Sequence, residues 1–334
     1  MSRLTPGNKK ALRGLLPIEA ALILTMCVGI AVAAPNPIDL LRRSIAARGT
    51  VDYAGIRTIV LFEQGEKVQG VEQRVQCDAP DRMRITILAP PAQAGSVCIH
   101  NGSVRWDYHP QESRAIRTPT ASQQQIVAER LEELAQLGKN VRGQHIGTEK
   151  IAGRDAHIVK IYTRDGVPLK KSWIDTENYF VLKTQRFDSS GRVRSSSYFT
   201  KIDFNPQFAA GLFDFSPPSD CTTVEGSRPS QRMPLNRAEQ QAGFHAAIPS
   251  YMPPGFAFQR NRVAVIDVEG QRALWLPFSN GADTFSLFQR RGDGPSEPAM
   301  HGRSLIWHAG PYRFTLLGPL SEAEMRRIAG SVRP

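Results

Sequence analysis

Residues 70–110 read GVEQRVQCDAPDRMRITILAPPAQAGSVCIHNGSVRWDYHP, and the pattern inside them decides the fold. Extended segments are expected at Val71–Cys77, Arg82–Leu88, Ser96–His100 and Ser103–Tyr108, divided by turns that contain Pro or Gly. Within Arg82–Leu88 the apolar Met83, Ile85 and Ile87 alternate with Arg82, Arg84 and Thr86. A period of two sends the first set to one face of a sheet and the second to the other, so one face is apolar and the other is wet. Asn101-Gly102 between Ile99 and Val104 predicts a two-residue hairpin, whose type I′ turn needs positive φ at both positions. Asn101-Gly102-Ser103 also has the form of a glycosylation sequon, but the turn explains it more simply. The whole stretch predicts an antiparallel meander.

Working outward, Asn36–Arg48 predicts a helix. Asn36 can cap it, Pro37 fits its first turn, Asp39 suits its positive end, and Leu40, Leu41 and Ile45 share a face. Val51–Glu63 opens the strands, and Gln64-Gly65-Glu66 turns into the next. Beyond the meander, Val127, Leu131 and Leu134 recur at helical spacing in Gln123–Leu137, with Gly138 as the stop. This helix is either an ordinary packed element or a lid over a cavity. Strand patterns resume as HIVKIYT from His157, KKSWIDT, FVLKTQRF and VRSSSYFTKIDF. Ser216–Pro234, rich in Pro, Ser and Arg, predicts a linker. The remainder predicts a smaller domain. Its elements are a short helix near Arg237–Ala242, strands around Phe256–Arg262, Arg272–Leu276, Thr284–Gln289, Arg303–Trp307 and Tyr312–Leu317, and a closing helix whose Ser321 and Glu324 form a capping box.

The meander ends in Trp106-Asp107-Tyr108-His109-Pro110, and its order of strand, Pro turn, strand, hairpin and aromatic strand resembles the LolA lipoprotein carriers. SWIDTENYFVLKTQRFDSSGRV, followed by Asn205-Pro206 with Phe213 and Phe215, is similar to the second half of that pattern. The resemblance covers Pro37 to Pro217. The ending GRSLIWHAGPYRFTLLGPLSEAEMRRIAGSV resembles the C-terminal domain of the MucB/RseB family, which joins such a domain to a lipoprotein-carrier-like one. The resemblance implies an α+β fold: a LolA-like curved antiparallel sheet, or half-barrel, with packed helices, plus a smaller α+β C-terminal domain. The domains expected are a signal peptide over 1–33, the carrier-like domain over 34–217, a linker over 218–234 and the second domain over 235–334. It further implies a regulator that binds the periplasmic part of a membrane anti-sigma factor and shields it from proteolysis until lipid, lipopolysaccharide or mislocalised lipoprotein releases it. Acyl chains are then expected in a cavity lined by Met83, Ile85 and Ile87, with Val127 and Leu131 of the helix laid across it. A carrier that shuttles lipid or lipoprotein with the first domain alone is the rival, and a structural envelope protein with no ligand is a third reading.

Composition bounds these readings. The chain has 334 residues, 41% of them hydrophobic, enough for one or two packed cores. Arg3, Lys9, Lys10 and Arg13 precede an apolar run from Ala20 to Ile30 and the small residues Ala31-Val32-Ala33, which predicts a cleaved secretory signal and a soluble periplasmic protein. Met26 before Cys27 does not suit lipidation. The formal charge is +11, and removing the four cations and Glu19 of the signal leaves +8. Such a surface favours anionic lipid headgroups, lipopolysaccharide phosphates or an acidic protein segment, and export argues against nucleic acid. Peripheral membrane contact is compatible with it. Cys77, Cys98 and Cys221 allow at most one disulfide, and a strand between the first two places them too far apart for one. At least one buried free thiol is expected. No metal-ligand spacing, nucleotide loop or nucleophile motif occurs, so neither cofactor, metal nor enzymatic activity is expected. Asp175 with Glu177, and Asp188, fall in turns where carboxylates ordinarily cap. His301 and His308 near Trp307 suggest either a pH switch or plain exposed histidines. Arg303, Arg313, Arg326 and Arg327 are the expected partner surface, with Trp275 and Trp307 as apolar anchors.

Overall fold

The computed structural model describes residues 34–63, 65–102, 104–137, 141–226, 231–268, 270–281, 283–293, 297–301 and 304–334. The expected signal segment with Cys27, the helix stop Gly138 and Arg303 lie outside them. Helix α1 (Pro37–Ala47) starts where the sequence asks: Asn36 Oδ1 accepts the N–H groups of Ile38 and Asp39 at 2.9 and 3.2 Å. Leu40 and Leu41 are buried beneath it.

Six strands follow: β1 (Tyr53–Glu63), β2 (Glu66–Asp78), β3 (Arg82–Ala89), β4 (Val97–Asn101), β5 (Val104–His109) and β6 (Arg114–Pro119). Helix α2 (Gln123–Leu137) interrupts them. Then come β7 (Val141–Ile151), β8 (Arg154–Thr163), β9 (Pro168–Asp175), β10 (Val181–Phe187), β11 (Val193–Asp203) and β12 (Thr222–Glu225). They form one open sheet of 12 strands in the order β12-β6-β5-β4-β3-β2-β1-β11-β10-β9-β8-β7. Two meanders are thus joined through β1 and β11, which are antiparallel, while β12 runs parallel to β6. Gly55 is needed at that junction, because a Cβ there would sit 2.5 Å from the Lys201 carbonyl oxygen.

The predicted strands of the meander are all present, but its hairpin turns one residue later than expected. Asn101 pairs with Val104 and also with Arg82 of β3, so it is still strand, and the positive φ falls on Gly102 at 66°. Three strands of this sheet were not anticipated. β6 and β7 follow polar, glycine-containing or proline-ended sequence, and β12 lies within the stretch read as a linker, held by its pairing to β6.

The second sheet begins after α3 (Leu235–Ala242). Its strands are β13 (Ala257–Phe258), β14 (Ala264–Val268), β15 (Gln271–Ser279), β16 (Thr284–Arg291), β17 (Ala299–His301), β18 (Ser304–Ala309) and β19 (Tyr312–Leu317), and α4 (Glu322–Ser331) closes it. The order is β13-β15-β16-β19-β18-β17, with β14 also on β15. Of these strands, β14 and β17 were not anticipated. Alternation builds the core directly: Leu274, Leu276 and Phe278 of β15 face Phe285 and Leu287 of β16, Phe314 and Leu316 of β19, and Met325 and Ile328 of α4. Phe278 and Phe285 stack with centroids 4.6 Å apart. The predicted capping box is formed, Ser321 Oγ accepting from Glu324 N and Ser321 N donating to the Glu324 carboxylate. Of the strand expected over Phe256–Arg262 only Ala257–Phe258 pairs, because the chain turns back on itself through an Arg262 N–H to Gln259 carbonyl bond.

The fold is therefore α+β with open sheets, and Pro35–Pro334 forms one compact unit.

Candidate functional site

Where α1, α2 and strands β8 to β10 meet the β15–β16 turn, a cavity of about 70 Å³ opens to solvent. Leu41, Leu134 and Ile161 supply its apolar floor; Arg48, Arg130 and Lys170 supply its rim. Strand register sets Lys170 beside Arg186 of β10, and β11 carries Arg194 next to it. Arg186 Nε and Arg194 Nη2 clamp the Asp283 carboxylate at 3.1 and 2.7 Å. Asp283 comes from the other sheet. Its turn is self-supported, since Asn280 Oδ1 accepts its N–H at 2.7 Å while its carbonyl accepts from Asn280 N and Ser279 Oγ.

The electrostatics are one-sided. Burial, together with the cations Arg186, Arg48 and Arg130, pushes the Lys170 ammonium down to about 7, with Asp283 pulling only weakly the other way. Arg57 and Arg186 are lowered by burial as well. A second contact between the sheets lies alongside. Glu129 of α2 accepts from Arg262 at 2.8 Å and Arg232 at 2.7 Å, and Glu133 pairs with Arg262 at 2.9 Å. The cavity is small beside the roughly 300–1,000 Å³ of ordinary ligand sites, so it suits a compact polar group.

The residues singled out from sequence are dispersed. Met83 and Ile85 pack against the cluster of Tyr53, Val75 and Cys77, and Ile87 is half-buried. Val127 lies by Gly49, Leu131 is half-buried on α2, and their neighbour Leu134 packs on a different cluster with Leu40, Leu41 and Val159. On the second sheet Arg313 sits between Arg290 and His308 in register, which sets two arginines side by side on β16 and β19 with a histidine next to them on β18. Arg326 is tied to Glu322 and to the Pro298 carbonyl, and Arg327 lies over the Tyr251 ring at 4.0 Å. Trp307 is not a surface anchor: it points with Leu305 into the core, 3% exposed and stacked on Phe314. Trp275 is half-buried and donates to Ser286 Oγ at 2.8 Å.

Asp175 and Asp188 cap turns. Asp175 is fully buried, clamped by Arg154, and accepts the N–H groups of Glu177 and Asn178. Cys77, Cys98 and Cys221 are all free thiols, and Cys77 is buried. Among the described residues no group of His, Cys, Asp and Glu is arranged to hold a metal, and no helix is long and apolar enough to cross a membrane. Sequence reasoning overlooked the Lys170–Arg186–Asp283 group. Nothing in either segment signals a contact nearly a hundred residues distant, although the run of cations in Lys170, Lys171, Lys183 and Arg186 on adjoining strands was visible.

The MucB/RseB N-terminal domain matches residues 37–218, more than half of the chain. Among solved structures, MucB in complex with MucA(peri) superposes with a TM-score of 0.58 at 16% identity, over 90% of this chain and 99% of that one. The MucA/MucB complex of Pseudomonas aeruginosa gives 0.59 at 16% identity over 89% and 98%, and a crystal structure of MucB gives 0.52 at 16% over 89% and 97%. At this identity the likeness concerns the fold, and its extent takes in both sheets. No curated protein matches the chain. With more than half its residues matched by the domain and its two-sheet architecture shared with MucB, the chain belongs to the MucB/RseB family.

Proposed function

We propose that this chain is a periplasmic negative regulator of an extracytoplasmic sigma factor of the sigma-E type, acting by binding the periplasmic part of a membrane anti-sigma factor. The observation that carries the reading is family membership together with a fold that follows, through both sheets, a MucB solved with MucA(peri). Two separate basic surfaces are offered to an acidic partner segment: Arg290 paired with Arg313 on the side of the second sheet away from its core, and Arg326 with Arg327 on α4, which packs on the core side. Like charges placed directly opposite one another repel, so the Arg290–Arg313 pair gains from an anionic partner. Lipid, lipopolysaccharide or lipoprotein acyl chains acting on the first sheet are the proposed release signal.

A lipid or lipoprotein carrier is the alternative. The second sheet weighs against it, because a shuttle needs one cavity and this chain adds a separately cored sheet to the first. The test is capture of the periplasmic region of a one-pass membrane anti-sigma factor from the same organism, using the mature chain Ala34–Pro334 at low and high salt. Capture that weakens with salt is expected, since screening acts beyond about 8 Å at 0.15 M. Absence of capture at both salts overturns the reading.

A further inference from the structure

The cations around Lys170 outnumber the acids that reach them. Lys170, Arg186 and Arg194 stand on neighbouring strands, and Arg48, just past the end of α1, and Arg130 of α2 face them across the cavity. Arg57 of β1 is close enough to Arg48 to add to the same field. The nearby acids are Glu133, which Arg262 already engages at 2.9 Å, and Asp283. Asp283 is 11% exposed, is delivered by a turn from the other sheet, and is gripped by two guanidiniums. A carboxylate presented in this way occupies the position of a bound oxyanion, for which planar guanidinium forks are well suited.

We infer that the groove around Lys170 and Arg186 is a binding site for a phosphate-type oxyanion, and that Asp283 fills part of it as an internal competitor. Anion binding and docking of the β15–β16 turn then oppose each other, and the anion loosens the second sheet from the first. The lowered Lys170 ammonium agrees with this: burial and the neighbouring cations disfavour its charge, and an arriving phosphate offsets them. Binding above pH 7 should therefore draw a proton onto Lys170. The ligand's source is either free phosphate or the phosphate of a lipid headgroup.

The test uses the mature chain titrated calorimetrically with sodium phosphate at fixed ionic strength and pH 8, in two buffers of different ionisation enthalpy, beside flotation with phosphatidylcholine vesicles with and without phosphatidic acid. Asp283→Asn should bind phosphate about tenfold more tightly, and Lys170→Met about tenfold more weakly, the scale of one charge-assisted hydrogen bond. Asp155→Asn, which removes an exposed partner of Lys150, should bind like the parent. Net proton uptake should be present in the parent and absent in Lys170→Met. Phosphate binding without vesicle capture identifies a free anion, and capture that requires phosphatidic acid identifies a headgroup; both support the site. Absence of both, or equal affinity in parent and Asp283→Asn, overturns it. Should Asp283→Asn fail to fold, unchanged affinity in Lys170→Met overturns it alone. None of these measurements involves the anti-sigma factor, so the site and the proposed function stand or fall separately.

Discussion

Replacing Arg262 by Met should uncouple the two sheets. The Arg262 side chain is 14% exposed and leaves the second sheet just before β14 to reach α2. It donates to Glu129 at 2.8 Å and forms a 2.9 Å ion pair with Glu133, with a further bond to the Glu129 carbonyl at 3.3 Å. Bonds to charged groups contribute about 1.5–3 kcal/mol each when desolvated. Here the estimate falls, because Glu129 is 39% exposed and keeps Arg232 at 2.7 Å, and Glu133 is 27% exposed. A total near 1–3 kcal/mol follows. With a urea slope of about 3 kcal/mol/M, the midpoint should fall by roughly 0.3–1 M. Met retains most of the apolar stem, so the loss isolates the charge. The assay is urea unfolding of the mature chain, followed by fluorescence of Trp106 and Trp173 in the first sheet and Trp275 and Trp307 in the second, singly retained, beside far-UV dichroism. If Arg262 couples the sheets, midpoints that coincide in the parent should separate in the variant. A cycle with Glu133→Gln should return a coupling energy of the same sign. Coincident transitions at the parent's midpoint would refute the reasoning.

Two further outcomes follow from buried ionisable groups. Burial alone would raise the Asp175 carboxyl, but Arg154 and the N–H groups of Asn178 and Glu177 outweigh it and hold it below the usual carboxylate range. A depressed folded pKa contributes stability above the unfolded value of about 3.9 that is lost as pH falls through the folded value, so Asp175→Asn should cost about 2–4 kcal/mol at pH 7 and the gap to the parent should close below about pH 4. Denaturant melts at the two pH values check it; an equal gap at both would count against the pairing. Burial also pushes the Cys77 and Cys98 thiols up to about 12 and about 11, so a disulfide reagent at pH 8 should label Cys221 in the native chain and all three cysteines only in urea. Rapid native titration of three thiols would contradict that.

Local rules made much of the fold legible. Asn36 before Pro37, the alternation of Met83, Ile85 and Ile87, and the Ser321–Glu324 spacing each specify an element through neighbours a few residues away, and each is realised. Edge strands lack that clarity. β7 carries Gly143, Gly147 and a mixed polar pattern because one of its sides has no strand to satisfy, and β12 owes its conformation to β6 more than to its own residues. The hairpin at Asn101 shows the same limit, for its register is fixed by Arg82 on a strand that the turn motif does not include. Trp307 and Trp275 look equivalent in sequence. Only the pairing of β18 with β19 decides that Trp307 joins Phe314 in the core while Trp275 lies elsewhere. The cation groove was out of reach for the same reason, because its members come from two helices, three strands and a turn of the other sheet.

The character of the contact between the sheets bears on what the molecule does. The buried apolar clusters stay within one sheet or the other: Leu274, Phe278 and Phe314 belong to the second, Tyr53 and Phe199 or Leu41 and Ile174 to the first. Between them stand Asp283 with Arg186 and Arg194, and Glu129 and Glu133 with Arg262 and Arg232, beside a close approach of Gly255 to Thr163. These ion pairs, whose members are 11% to 40% exposed, are screened by salt where they meet solvent, whereas an interdigitated apolar seam is not. The seam is therefore the place where a ligand that competes for these charged contacts can change the arrangement. A carrier draws no benefit from a second sheet held in this way. A regulator does, since a signal at the groove need offset only a few charged contacts to alter the surface that its partner meets.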